Sequence, residues 1–129
     1  MSDHGSASVL ILGVVGLTVV LGLMLATAGH YLSVRSEVQA AADAAALAAA
    51  PVTFRPFGTE ANPAAEAARF AAANGARLVR CFCPIDRTWV ARIVEVEVAR
   101  DINLIGLGRR EVRAMAAAEF VPVDLLLVE

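Results

Sequence analysis

Lysine is absent from this 129-residue chain, and all 11 basic side chains are arginine. Against 13 acidic residues they leave a formal net charge of -2, without the basic excess that neutralises a phosphate backbone, which argues against a nucleic-acid partner. Charge of either sign is scarce. Only 19% of residues are charged and 58% are hydrophobic, too apolar for an ordinary soluble domain of this size, and contact with a lipid bilayer is the first expectation. The alanine excess and the missing lysine are read together as a GC-rich coding bias, so alanine counts carry little weight as a helix signal. Two cysteines and two histidines, His4 and His30, lie too far apart in the chain to make up the four ligands a zinc site wants. A nucleophile elbow, a phosphate-cradling glycine loop and a His-carboxylate constellation are all missing, so the expectation is no enzyme, no cofactor and no metal.

Ionisable side chains are missing from one continuous stretch. From Gly5 to Gly29, "GSASVLILGVVGLTVVLGLMLATAG", nothing titrates at neutral pH. As a helix rising about 1.5 Å per residue the run reaches about 37 Å, enough to cross a hydrocarbon core with some tilt. A secretory signal peptide wants a basic start and an apolar stretch of about 7 to 15 residues. Here the start is "MSDHG" and the stretch is longer, although the small residues of "ATAG" keep cleavage there as a minority reading. Gly13, Gly16, Gly22 and Ala26 give the run small faces on which a second helix could pack.

After His30 and Tyr31, suited to an interface with their rings half wet, no glycine or proline interrupts the chain until Pro51. The spanning helix is therefore expected to continue. At 100° per residue Val34, Val38, Ala41, Ala42, Ala45, Ala48 and Ala49 fall on one stripe, with Arg35, Ser36, Glu37, Gln39 and Asp43 opposite and Leu47 off the stripe. An alanine stripe buries little area per residue but admits a close backbone approach. Two readings stand together: the stripe packs under the chain's own small domain, or against other subunits.

Pro51 is expected to end this helix, and "PVTFRPFGTEANP" reads as a loop punctuated by Pro51, Pro56 and Gly58. A second helix then has clear ends, with Asn62 as N-cap, Pro63 in the first turn, Glu66 near the positive end of the dipole and "NG" at 74 and 75 as a left-handed stop. "ARLVRCF" predicts a strand, "PIDRT" at 84–88 a turn, and "WVARIVEVEVAR" the clearest strand, Val94, Val96 and Val98 against Glu95 and Glu97. "DINLIGLG" reads as a loop. In "RREVRAMAAAEFV", Arg110, Val112, Ala114, Ala116, Ala118 and Phe120 alternate against Arg109, Glu111, Arg113, Met115 and Glu119; propensity allows a helix, and hairpin spacing favours a strand. The apolar end, "VPVDLLLVE", fits an edge strand or a docking segment.

The fold class expected is therefore α+β: a long N-terminal transmembrane helix continuing into a small head with a second helix and an antiparallel sheet of about three strands. The divisions expected are a short leader at 1–5, a transmembrane helix at 6–30, its amphipathic extension at 31–50, a loop at 51–62 and a small αβ head at 63–129. Cys81 and Cys83 in "CFC" would share one face of a strand, about 6.5 to 7 Å apart. That separation suits a disulfide between them only if the strand bends, leaving an intermolecular bridge or, as favoured, two small buried apolar side chains.

Taken in order, "GSASVLILGVVG", "RSEVQAAADAAALAAA", "AAEAARFAAANGARLVRC", a valine-rich strand and a closing "VRAMAAAEF" resemble the TadE/TadG-like proteins of the Flp, or tight-adherence, pilus machinery. The branch most similar is the short actinobacterial one usually encoded near a helicase and secretion genes. The resemblance implies a minor-pilin-like or pseudopilin-like structural subunit without catalysis. Its helix would lie in the membrane and later in or on a filament, with other pilin-like or secretion subunits as partners, homo- or hetero-oligomeric through that helix. It also implies a processing junction between Gly5 and Ser6, a cytoplasmic N-terminus and an extracytoplasmic head. This sequence departs from the pilin pattern twice: the fifth residue after that junction is Leu10 in place of glutamate, and the leader "MSDH" carries no basic residue. Arg35, the one basic residue near the run, by itself favours the opposite orientation. A second class stays open, a membrane-tethered binding or regulatory module that never enters a filament.

Overall fold

The computed structural model describes residues 4–55, 61–104 and 106–122. Two helices and three strands follow in the order α1 (His4–Val52), α2 (Pro63–Ala73), β1 (Arg77–Phe82), β2 (Arg92–Leu104) and β3 (Gly108–Phe120). The α+β class, the long N-terminal helix, the short second helix and the three-stranded antiparallel sheet expected from the sequence are all present. The leader residues 1–3, the loop signals Pro56 and Gly58, and the final 123–129 lie outside the described residues.

The chain divides into two compact units, Met1–Ser33 and Val34–Glu129. In the first, α1 is a single helix whose large apolar side chains from Val9 to Leu25 are all exposed. The hydroxyls of Thr18 and Thr27 donate to the carbonyls of Val15 and Leu23, both at 2.8 Å, so these polar groups are satisfied inside the helix. Among the described residues this is the one helix long and apolar enough to cross a membrane.

In the second unit the sheet order is β1-β2-β3, antiparallel throughout. The period-two pattern sorts β2 and β3 as expected: Val94, Val96, Val98, Val112, Ala114 and Ala118 are buried, and Glu95, Arg113, Met115 and Glu119 are exposed. The Val34–Val52 part of α1 supplies the rest of the core through Val34, Val38 and a run of alanines, with Ala67 and Ala71 joining from α2. Valines on the sheet fill the volume that alanines on the helices leave.

Three boundaries differ from expectation. α1 continues through Pro51 to Val52, since proline interrupts the backbone ladder only toward residues before it, and Thr53 then closes the last turn from both its amide and its hydroxyl onto the Ala50 carbonyl. β2 extends through Leu104, because "DINL" alternates as strands do, with Ile102 and Leu104 buried and Asp101 and Asn103 exposed. The hairpin turn is thus short, closed by Leu107 N donating to Leu104 O at 3.1 Å, with Gly106 at φ 81°.

α2 keeps both of its sequence-encoded ends. The side chain of Asn62 accepts from the amides of Ala64 at 3.0 Å and Ala65 at 3.4 Å, and Gly75 adopts φ 72° after the last turn. Asn62→Ala is expected to destabilise the Val34–Glu129 unit by about 1 kcal/mol, and Asn62→Asp to restore most of it, read as denaturant midpoints.

Candidate functional site

The candidate surfaces belong to the two units separately. In the first, an added Cβ at Gly13, Gly16, Gly22 or Gly29 meets nothing within 4 Å, so the small face is open along its length. The backbone of Gly5 and Ser6 lies in the first turns of α1. From Val9 to Leu25 the exposed large side chains are all apolar and both threonine hydroxyls near them are bonded inside the helix, so this surface offers dispersion contact and shape, the kind of interface that small residues serve between helices in lipid.

In the second unit the predicted stripe is already occupied. Ala41, Ala42, Ala45 and Ala49 are 0% exposed, Val34 and Val38 are buried with them, and all belong to one core cluster with the sheet. Ala48 is only half-buried and Ala46 takes its place inside, a slight rotation of the buried arc. Leu47 stands 67% exposed.

The outer face of the sheet carries a chain of ion pairs. Arg77 and Arg113 both bond the carboxylate of Glu111, and Arg113 and Arg80 meet Glu97 at 3.2 and 3.8 Å. Between them Ala99, paired with Arg77 on one side and Arg113 on the other, is fully buried although it points outward. The aliphatic stems of the arginines account for that cover. The Glu111 carboxyl is held below its ordinary 4.5 mainly by the hydrogen bond from Arg113, with the Arg113 and Arg77 charges adding to it. Since the folded form binds its proton less readily than the unfolded chain, the contribution is complete above 4.5 and is lost as pH falls through the lower folded value. Unfolding midpoints measured across this acid range should therefore fall with pH, and Glu111→Gln should flatten the slope.

Cys81 and Cys83 are joined by a disulfide with Cα atoms 5.5 Å apart, nearer than the strand spacing implies. β1 ends at Phe82, so Cys83 lies beyond the strand and is freed from its extended geometry. Both residues are half-buried, in place of the two buried thiols favoured from the sequence.

One cluster of side chains carries more than the sequence reading assigned to it. Arg92, 8% exposed, donates from Nη1 to the carbonyls of Thr53 at 3.3 Å and Asp86 at 2.8 Å, and from Nη2 to those of Thr88 and, at 3.1 Å, Val90. Its guanidinium lies 5.6 Å from the Phe54 ring centre, and Phe54 in turn meets Trp89 edge-on at 4.9 Å. Thus one side chain fastens the end of α1 to the connection between β1 and β2. A signal existed: two residues before Val94, Arg92 falls on the inward face of the alternation.

Groups of three or more His, Cys, Asp or Glu able to hold a metal are absent among the described residues. No curated protein and no solved structure matches the chain. A family model does: residues 5–52, the extent of α1 within a residue, are similar to the family described as putative Flp pilus-assembly TadE/G-like.

Proposed function

We propose that the chain is a minor-pilin-like subunit of a Tad/Flp-type pilus or a related secretion apparatus. It acts by packing its apolar helix against other pilin-like or secretion subunits in the membrane or filament. The observation that carries this is the pairing of the family match over 5–52 with an apolar helix surface exposed from Val9 to Leu25. The stripe from Val34 to Ala49, by contrast, is spent on the chain's own core, which leaves the 6–30 segment as the surface for subunit contact. The chain is, in this reading, of the short actinobacterial TadE-like kind that its sequence pattern resembles. In this reading the N-terminus is cytoplasmic, the Val34–Glu129 unit is extracytoplasmic and single-pass anchored, and Gly5–Ser6 is the processing junction.

A second reading, a tethered module that stays out of any filament, draws on Leu10, which stands where the pilin pattern places glutamate. Intact-mass spectrometry of the protein from native membranes separates the two. A mature chain beginning at Ser6 is the expected result; one beginning at Met1 makes the apolar run a permanent anchor and favours the tethered module. Added protease should digest the Val34–Glu129 unit in intact cells stripped of their outer layers, and protection of that unit would reverse the orientation.

A further inference from the structure

Among the described residues, three side-chain hydrogen bonds between the 37–53 stretch and the sheet inside the second unit run in a fixed order. Glu37 pairs with Arg100 at 2.6 Å, Gln39 donates to the carbonyl of Met115 opposite Glu97 at 3.0 Å, and the Thr53 carbonyl receives Arg92. β2 therefore runs antiparallel to the Val34–Val52 part of α1, and the connection between β2 and β3 lies at the end of this unit where the chain enters at Val34. Gly29, the last residue of the apolar run, is five positions earlier in the sequence.

That hairpin tip has an unusual composition for a turn in water. Leu107 is 58% exposed, flanked by Gly106 and Gly108, both at positive φ, and the turn is closed by its own backbone hydrogen bond. Directly after it come Arg109 and Arg110, both exposed and without an ion pair among the described residues. The other arginines of β2 and β3 are all engaged: Arg92 by carbonyls, Arg100 by Glu37, and Arg113 by Glu97 and Glu111. A leucine held outward beside two free guanidinium groups matches a phospholipid interface, with the apolar side chain at the acyl boundary and the guanidinium groups on phosphate oxygens.

We propose that the tip of the β2–β3 hairpin, Leu107 with Arg109 and Arg110, is a second membrane contact that rests on the anionic phospholipid headgroups of the bilayer anchoring α1. The inference depends on the reading of the apolar run as a membrane anchor. Its consequence is orientational, because an anchor helix alone leaves the attached unit free to turn about the membrane normal and to tilt. A tip seated on the headgroups restricts the tilt and presents a defined side of the sheet to neighbours.

The test uses the full chain in vesicles of phosphatidylcholine with phosphatidylglycerol, carrying lipids brominated near the glycerol or in mid-chain. Trp89, the only tryptophan, is replaced in Trp89→Phe so that a reporter can be placed by Leu107→Trp or Val20→Trp. The expected result is blue-shifted emission from the Leu107→Trp reporter with quenching by the shallow bromine, and quenching of the Val20→Trp reporter by the mid-chain bromine. Native Trp89, near the opposite end of β2, stays unquenched. Adding Arg109→Glu and Arg110→Glu should return the Leu107→Trp emission to its position in water, as should vesicles of phosphatidylcholine alone. Quenching at Val20→Trp with none at Leu107→Trp overturns the proposal and leaves the anchor standing. Absence of quenching at Val20→Trp removes the anchor, and the proposal falls with it.

Discussion

Ala45→Arg is expected to unfold the Val34–Glu129 unit. Ala45 is 0% exposed in a cluster whose other members are valine, alanine, isoleucine and leucine, and no carboxylate belongs to that cluster. An arginine there has two outcomes open to it. Left inside, its charge is desolvated without a partner, a penalty of about 3 to 5 kcal/mol or more, comparable with the whole stability of a small domain. Driven outward, it separates α1 from the sheet and exposes Val94, Val96 and Val98. Leu47→Arg, two residues on and 67% exposed, introduces the same charge on the solvent side and should leave the fold intact. Trp89 emission in a denaturant series on the full chain in detergent reads both variants, since the Trp89–Phe54 contact is lost on unfolding. An Ala45→Arg variant that folds normally and fails only in assembly would show that the stripe serves other subunits and that its burial in this fold is not what it is used for.

The residues legible in the sequence were those whose role is local. Asn62, Pro63 and the Asn74–Gly75 stop each act within a turn of themselves, and α2 begins and ends where they stand. The alternation of Val94, Val96 and Val98 against Glu95 and Glu97 needs only the two-residue period of a strand. The same period continues through Ile102 and Leu104, but asparagine, aspartate and glycine nearby suggest a loop, and the strand is longer because Gly108, Arg109, Arg110 and Glu111 pair with 101–104 on a partner of matched length.

What the sequence left open was what each face packs against. The alanine stripe had two destinations of equal standing, and tertiary burial decides for the chain's own core in this fold. Cys81 and Cys83 depend on where β1 stops, a boundary of one residue that strand propensity does not resolve. The apolar run is the opposite case, since its large side chains from Val9 to Leu25 are exposed and the described residues of the fold do not cover them. For this reason the family match to α1 and the exposed surface bear on function more than any cluster in the core does.

Arg92→Met is expected to lower stability by about 3 kcal/mol, the second large effect, through hydrogen bonds that no apolar replacement can supply. Four carbonyls from two separate segments converge on this guanidinium, and that of Thr53 belongs to a residue that is 0% exposed. Removing a charged donor while buried acceptors stay in place costs more than the bond itself contributes, because those oxygens lose water and partner together. The planar fork is also what reaches several acceptors at once, so Arg92→Lys, a point charge on a flexible stem, should recover less than half of the loss. The damage should begin locally. With the end of α1 no longer tied to 86–90, the edge-on contact of Trp89 with Phe54 loosens, and the near-ultraviolet circular dichroism of Trp89 should weaken before the far-ultraviolet signal of the helices changes. Simultaneous loss of both signals in Arg92→Met would instead make this tie part of the global fold, inseparable from the packing of α1 on the sheet.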